Sequence, residues 1–263
     1  MQSEKKFVID GVKQGLRSDG RACFQSRVLE CADNTELLAA GSSQMGISLY
    51  ASHIICGVKA EIANEPGIFL SIEVAGRSSS GFRDKLREIT LILDQLVLKY
   101  IEKEQLVIIK DKKSWKLFID VLVLQENSSN LLEHISFAIW RALKNTKLIG
   151  VAGFVNKNTN EEFLQVEDLP RQLNIDNVPV VISVAFIAEC LVLDLTELEE
   201  LCIDVLLHIS VDSCGNIKGI TKEGTGSLSY FQTCKALTTC KLAARQFFDH
   251  CLNNNFQYKS NYP

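Results

Sequence analysis

Residues 115–124, WKLFIDVLVL, hold eight apolar side chains in ten positions, and no other stretch restricts the fold as much. A run that apolar is too continuous for a strand wetted on one side, so it predicts a central strand covered on both faces. Turn formers follow at Glu126, Asn127, Ser128, Ser129 and Asn130. Beyond them Leu131, Ile135, Ala138, Ile139, Ala142 and Leu143 recur at helical spacing, which predicts a helix laid back on that strand. Asn130 stands where the helix needs an N-cap, and Glu133 is at capping-box spacing from it.

A strand, a short turn and a helix N-terminus make an anion site, because unpaired backbone N–H groups and the helix dipole converge there. This one has the frame without the side chains. From Leu117 to Trp140 there is no Lys or Arg, and the charges are Asp120, Glu126 and Glu133.

At 263 residues the chain can bury one large core or two fused halves. A net charge of −4 and a pI near 5.7 exclude a globally basic nucleic-acid binder. Any RNA contact has to be local. The nine cysteines are scattered, odd in number and without a CxxC pair, and MQSEKKF has no signal-peptide pattern. Reduced thiols in a nuclear or cytosolic protein are expected. The four histidines are far apart in sequence, so no metal-ligand spacing arises and no metal is expected. No run approaches the roughly 18 apolar residues of a membrane span, so no membrane partner is expected and the protein reads as soluble and intracellular.

Along the chain, residues 5–16 predict a short helix that aligns Val8, Val12 and Leu16, with Gly15 as its stop. After a polar arm, strands are predicted at 27–31, 46–50, 53–63 and 68–75, as an antiparallel meander rather than a βαβ unit. A helix follows to about residue 103, then a strand at 105–110 and a charged hairpin turn at 111–114. Past the central strand and helix, 151–155 reads as a strand and 156–160 as a turn-rich tip. The grammar then repeats: strands at 180–187 and 190–195, a short helix at 197–201, a strand at 204–211, a turn at 212–216, another strand, and a helix over 230–252. The expected fold is α+β, with an N-terminal helix and arm over 1–24, halves at 25–155 and 180–255 that share one core, and a connector at 156–179.

Several chemistries are absent. There is no GxGxxG or GxxxxGK[ST], and Gly224-Thr-Gly226 alone is a weak sign. His53, His134 and His208 lie in or beside apolar runs with nothing near in sequence to complete a site, so they read as structural. Arg77, Arg83, Lys85 and Arg87 cluster at a predicted helix start, and Lys110, Lys112, Lys113 and Lys116 around a hairpin tip. On one face these would contact phosphates without reading sequence; singly, each is ordinary charged surface. Asp120, Asp194 and Asp204 interrupt or border apolar strands, where a lone acid is scaffold more often than catalyst.

Gly15-Leu-Arg-Ser-Asp-Gly-Arg21, Ala40-Gly-Ser-Ser43 and Cys56-Gly-Val-Lys-Ala-Glu61 resemble the ribonuclease PH family. Phe118-Ile-Asp-Val-Leu-Val-Leu124, Asn130-Leu-Leu-Glu-His-Ile-Ser136, Ala142-Leu-Lys-Asn-Thr-Lys147 and Asn177-Val-Pro179 narrow the resemblance to the branch that builds the RNA exosome ring. It spans roughly residues 5–250. Active members of the family carry a Gly-Thr-Arg element at the turn, whose arginine and backbone hold the attacking phosphate; the matching residues here are Ser129, Asn130 and Leu131. Active members also carry two aspartates six apart. Asp204 matches the second, and Leu198 stands at the first, flanked by Glu197 and Glu199. The resemblance therefore implies a degenerate site at Asn130, Leu198 and Asp204, in a ring subunit with no catalytic residues and no cofactor. The alternative is an active phosphate-dependent 3′-to-5′ exoribonuclease. Implied partners are other ribonuclease PH-like ring subunits, RNA-binding cap subunits and single-stranded RNA. Implied locations are the nucleus, nucleolus and cytoplasm. On charge alone, Arg77, Arg83, Lys85, Arg87, Lys112 and Lys113 are the candidate RNA contacts.

Overall fold

The computed structural model describes residues 2–27, 42–45, 54–76, 79–124, 129–155 and 162–253. The expected strand at 46–50, most of that at 27–31, His53, Arg77 and the tip at 156–160 lie outside the described residues. In chain order the elements are α1 (Gln2–Lys13), β1 (Ser42–Met45), β2 (Ile54–Ala63), β3 (Gly67–Val74), α2 (Ser80–Leu96), β4 (Val107–Ile109), β5 (Lys113–Val123) and α3 (Leu131–Asn145). The short strands β6 (Lys147–Leu148), β7 (Val151–Val155), β8 (Glu162–Val166) and β9 (Arg171–Gln172) follow. The second half is β10 (Val180–Ile187), β11 (Cys190–Leu193), α4 (Glu197–Glu200), β12 (Val205–Val211), β13 (Ile217–Glu223) and α5 (Tyr230–Asn253).

Two sheets carry the fold, one ordered β1-β2-β5-β3 with β4 beside β5, the other β11-β10-β12-β13. The first is not the expected meander. β2 and β5 are antiparallel, but β3 lies on the far side of β5 and runs parallel to it. A parallel neighbour needs a crossover, and α2 supplies it. The second sheet is antiparallel throughout.

α3 lies between the sheets, and its residues from Leu131 to Leu143 are all buried. β5 is covered on one face only, contrary to expectation. Leu117, Ile119, Val121 and Val123 are buried, while Lys116, Phe118, Asp120 and Leu122 on the other face are half-buried or exposed. That outer row is shielded by ring contacts with β3: Lys116 Nζ sits 4.5 Å from the Phe69 ring centre, and Phe69 stacks on Phe118 at 5.5 Å. The strand buried at every position is β10, with α3 and α5 on one side and Val8 and Val12 of α1 packed on Ala185 and Ile187 on the other. Each such buried Val is worth about 2 kcal/mol. The α3–α5 seam is aromatic, with Phe137 stacked on Phe247 at 4.1 Å and Trp140 edge-on to Phe248 at 5.0 Å.

α1 ends earlier than expected. Leu16 N donates to Gly11 O and Gly15 N to Val12 O, both near 3 Å, with Gly15 at φ +75°. This closes a Schellman motif, and it turns Leu16 out to solvent, 65% exposed, off the Val8–Val12 stripe. α2 likewise stops at Leu96, and a 3-10 turn at Leu98–Tyr100 completes the segment expected to be helical to 103.

Candidate functional site

The Arg17–Arg21 arm is the sequence's best-spaced motif, and the structure shows what its charges hold. Arg17 makes a two-point pair with Glu199, Nε to Oε1 at 2.8 Å and Nη2 to Oε2 at 2.6 Å, with both side chains fully buried. It also donates to the carbonyls of Leu193 and Asp194. Arg21 Nη1 donates to Asp194 Oδ2 at 2.8 Å, and Arg27 clasps the same carboxylate through its guanidinium and its backbone N–H. Asp194 follows β11 with φ +47°, a left-handed backbone that Asp tolerates better than most residues. The three arginines therefore tie the N-terminal arm to the second half. Burial alone would raise the Asp194 carboxyl, but Arg27 overrides it and holds the group well below the usual carboxylate range.

Two residues of α3 complete this centre. Burial pushes the Glu133 carboxyl up to about 8, with the Asp194 charge adding to it, and lowers His134 to about 4. Glu133 does not fold back to make the expected capping box. Its Oε2 accepts from Ser183 N at 2.6 Å and so pins α3 to β10. Asn130 holds the N-cap place in a left-handed conformation, φ +58°, without a side-chain cap bond. Its backbone N–H instead donates to Glu200 Oε1 at 2.7 Å.

That bond decides what the turn can do. One of the free N–H donors at the N-terminus of α3, that of Asn130, is taken by the chain's own Glu200 carboxylate. Lys85 of α2 approaches the other oxygen, Oε2, at 3.6 Å. These groups border a cavity of about 320 Å³, with Ile89, Leu132, Ser183, His208 and Glu223 among its walls. His208 bridges two of them, its Nδ1 2.9 Å from Ser183 Oγ and its Nε2 3.1 Å from Glu223 Oε1.

The residues expected to mark the degenerate site are not brought together around this cavity. Asn130 lines it; Leu198 and Asp204 do not. Leu198 is 47% exposed on α4, and its neighbours on the same short helix split, Glu199 to Arg17 and Glu200 to Asn130. Asp204 is hydrogen-bonded scaffold: its Oδ2 accepts from Ala188 N at 2.7 Å and its N–H donates to Phe186 O. This holds the β10–β11 turn, where Ala188 and Glu189 both have positive φ. The Gly224-Thr-Gly226 element serves the same spot, since a Cβ on Gly224 would lie 2.7 Å from Asp204 O.

The two basic clusters stand at opposite ends of β5. The hairpin tip precedes Lys113, whereas α2 begins beside the Val74–Val123 end, so an eleven-residue strand, about 33 Å, separates them. Arg87 pairs with Asp84 at 3.0 Å, Lys113 Nζ donates to Asn64, and Lys85 makes a loose, half-exposed contact with Glu200 at 3.6 Å. Arg83 borders Glu73 and Thr90 on α2's flank, and Lys112 closes the hairpin turn through its N–H to Ile109 O. Sequence reading missed Arg17, Arg21, Arg27, Glu199 and Glu200 as working groups. The one signal for them was the clustering of acids at 197–200 opposite an arginine-rich arm. Among the described residues no group of three or more His, Cys, Asp or Glu is arranged to hold a metal.

Comparison with known proteins bears on the fold that carries these residues. Residues 177–241 match the model of the 3′ exoribonuclease family, domain 2. The chain is 27% identical over 262 residues to the exosome complex component Rrp42 of Sulfurisphaera tokodaii, covering 94% of this chain and 92% of that one. It is 28% identical over 249 residues to the Rrp42 component of Thermococcus kodakarensis, covering 89% and 88%. An archaeal exosome core chain superposes with a TM-score of 0.72 at 21% identity, covering 96% of this chain and 97% of that chain. A chain of the Archaeoglobus fulgidus exosome with RNA bound to the active site gives 0.70, also at 21%, covering 95% and 98%.

Proposed function

This chain has a ribonuclease PH-like fold and carries the second domain of the 3′ exoribonuclease family, and on that premise we propose that it is a non-catalytic subunit of an RNA exosome ring. It supports 3′-to-5′ RNA processing and degradation by building the ring and its RNA path. The observation that carries the silent reading is the Asn130 N–H to Glu200 bond. A phosphate attacking an RNA end needs that donor, and a carboxylate already takes it. No cation is supplied from the turn's own sequence, and Arg27, which reaches Ser129 Oγ at 3.1 Å, is neutralised by Asp194. The first aspartate of the active pair is replaced by Leu198, and Asp204 is engaged in a turn.

Partners in this reading are other ribonuclease PH-like ring chains, RNA-binding caps and single-stranded RNA, in the nucleus, nucleolus and cytoplasm. The eight described cysteines are all thiols, which suits a reducing compartment. Arg77, Arg83, Lys85, Arg87, Lys112 and Lys113 stay as proposed phosphate contacts of local, sequence-independent kind. Co-expression with ribonuclease PH-like ring chains tests the assembly role: the chain is expected to elute in one stoichiometric ring. Elution as a separate monomer from a ring that closes without it would overturn the reading.

A further inference from the structure

From Gly224 to Phe248 the chain has no Asp or Glu, while Lys235, Lys241 and Arg245 all fall within it. In a protein of net charge −4 that is a local reversal of sign, and α5 displays it outward. At about 100° per residue, Phe231, Lys235, Thr238, Lys241, Leu242 and Arg245 share an arc of roughly 120°, and all six are exposed. The opposite arc, with Ala236, Cys240, Ala244 and Phe247, is core. Lys235 and Lys241 meet no carboxylate among the described residues; Arg245 has a loose pair with Asp249, 3.8 Å apart and solvent-exposed on both sides. Aromatic surface is interleaved with this charge. Tyr230 and Phe231 are 87% and 74% exposed, and Phe24, half exposed, lies flat under Lys235 at 5.3 Å.

A second, independent observation lies at the C-terminal half of the same helix. A cavity of about 600 Å³ there is lined by Lys144, Lys241, Arg245 and Trp140. Trp140 is 4% exposed, and its indole N–H is the one buried side-chain polar atom without a hydrogen-bond partner among the described residues. A buried indole N–H is a donor only, and leaving it unmet costs roughly 1–3 kcal/mol. Three acids also border the cavity: Asp212 is occupied by Lys218 and by Asn216, Asp249 faces Arg245, and Asp176 is exposed.

We propose that the outward face of α5, with the cavity beside Trp140, binds single-stranded RNA through its phosphodiester backbone. The cations would neutralise successive phosphates, a phosphate oxygen would accept from Trp140 Nε1, and Phe24 and Phe231 would stack bases without reading them. Charge selects this occupant, since Lys235, Lys241 and Arg245 outnumber Asp249, the one carboxylate on the same exposed arc, and a net basic stripe suits a polyanion. The choice of RNA among polyanions rests on the exosome reading above.

The test is fluorescence anisotropy of labelled oligo(U) with the full-length chain over a salt series. Lys241→Glu/Arg245→Glu is expected to weaken binding at least tenfold at low salt and to flatten the log–log salt slope by about 1.4, two single-strand phosphate contacts. Trp140→Phe is expected to weaken it about threefold. The same charge change on α1, Lys6→Glu/Lys13→Glu, leaves binding within twofold. Unchanged affinity in the α5 variant overturns the proposal, as does equal loss in the α1 variant or equal competition by an acidic peptide. Failure here with intact ring assembly removes this surface alone; binding without assembly removes the ring role alone.

Discussion

Glu199 and Glu200 are neighbours on one short helix, yet they sit in opposite physical worlds. Glu199 faces Arg17 with no solvent exposure on either side chain. Glu200 reaches a backbone N–H on the rim of a half-open cavity, with a partly exposed lysine behind it. A buried ion pair owes its place to desolvation: breaking one partner strands the other charge. A rim contact is screened by water and is nearly optional. The lesson is that the conspicuous arginine motif is structural, while the quieter Glu200 settles the chemistry of the α3 turn.

Variants of each side sharpen that contrast. Arg17→Ala leaves Glu199 buried and unpaired, and a loss of about 3–5 kcal/mol is expected in urea unfolding. A loss below about 1 kcal/mol would mean that the pair is hydrated and the contrast unreal. Glu133→Gln tests the dry side through pH. The folded carboxyl titrates near 8 against 4.5 as its ordinary value, so between those values the folded chain holds a proton that the unfolded chain sheds. Stability from this group is full below pH 4.5 and declines as pH rises through 8, with a slope of up to about 1.4 kcal/mol per pH unit. His134 acts with the opposite sign, losing stability only as pH falls from 6.5 towards 4. Unfolding midpoints at pH 8 and 7, above the His134 window, are expected to rise on acidification in the parent chain and to stay level in Glu133→Gln.

On the wet side, Glu200→Ala is expected to cost about 1 kcal/mol and to expose Asn130 N–H and Lys85. Calorimetric titration with inorganic phosphate then shows millimolar binding that the parent lacks. Absence of phosphate binding in the variant would make Glu200 a mere tether. Lys85→Ala should change stability by less than about 0.5 kcal/mol, because its contact is long and exposed.

Much of this was written legibly in the chain. The strand–turn–helix at 115–143 and nearly every strand of the second half follow from apolar runs and hydrophobic period, because burial on one or both faces imposes them. The placement of β3 was not legible: nothing in residues 67–74 says whether the strand pairs with β2 or crosses over through α2 to lie parallel to β5. The outer face of β5 misled for a related reason, since Phe118 and Leu122 look the same in sequence whether covered or bare. That the turn at 129–131 has no cation of its own is plain in the sequence. That Glu200, seventy residues away, would take the Asn130 N–H depends on long-range packing, which periodicity does not carry.

The central claim is that this chain does no phosphorolysis at its own site. The direct measurement incubates the chain, alone and in the assembled ring, with oligo(A) and inorganic phosphate, and follows nucleoside diphosphate release. The account predicts no release from the chain alone, and release from the ring that is unchanged by a ring-competent Asp204→Ala variant. Diphosphate release that Asp204→Ala abolishes while the ring still assembles would contradict it.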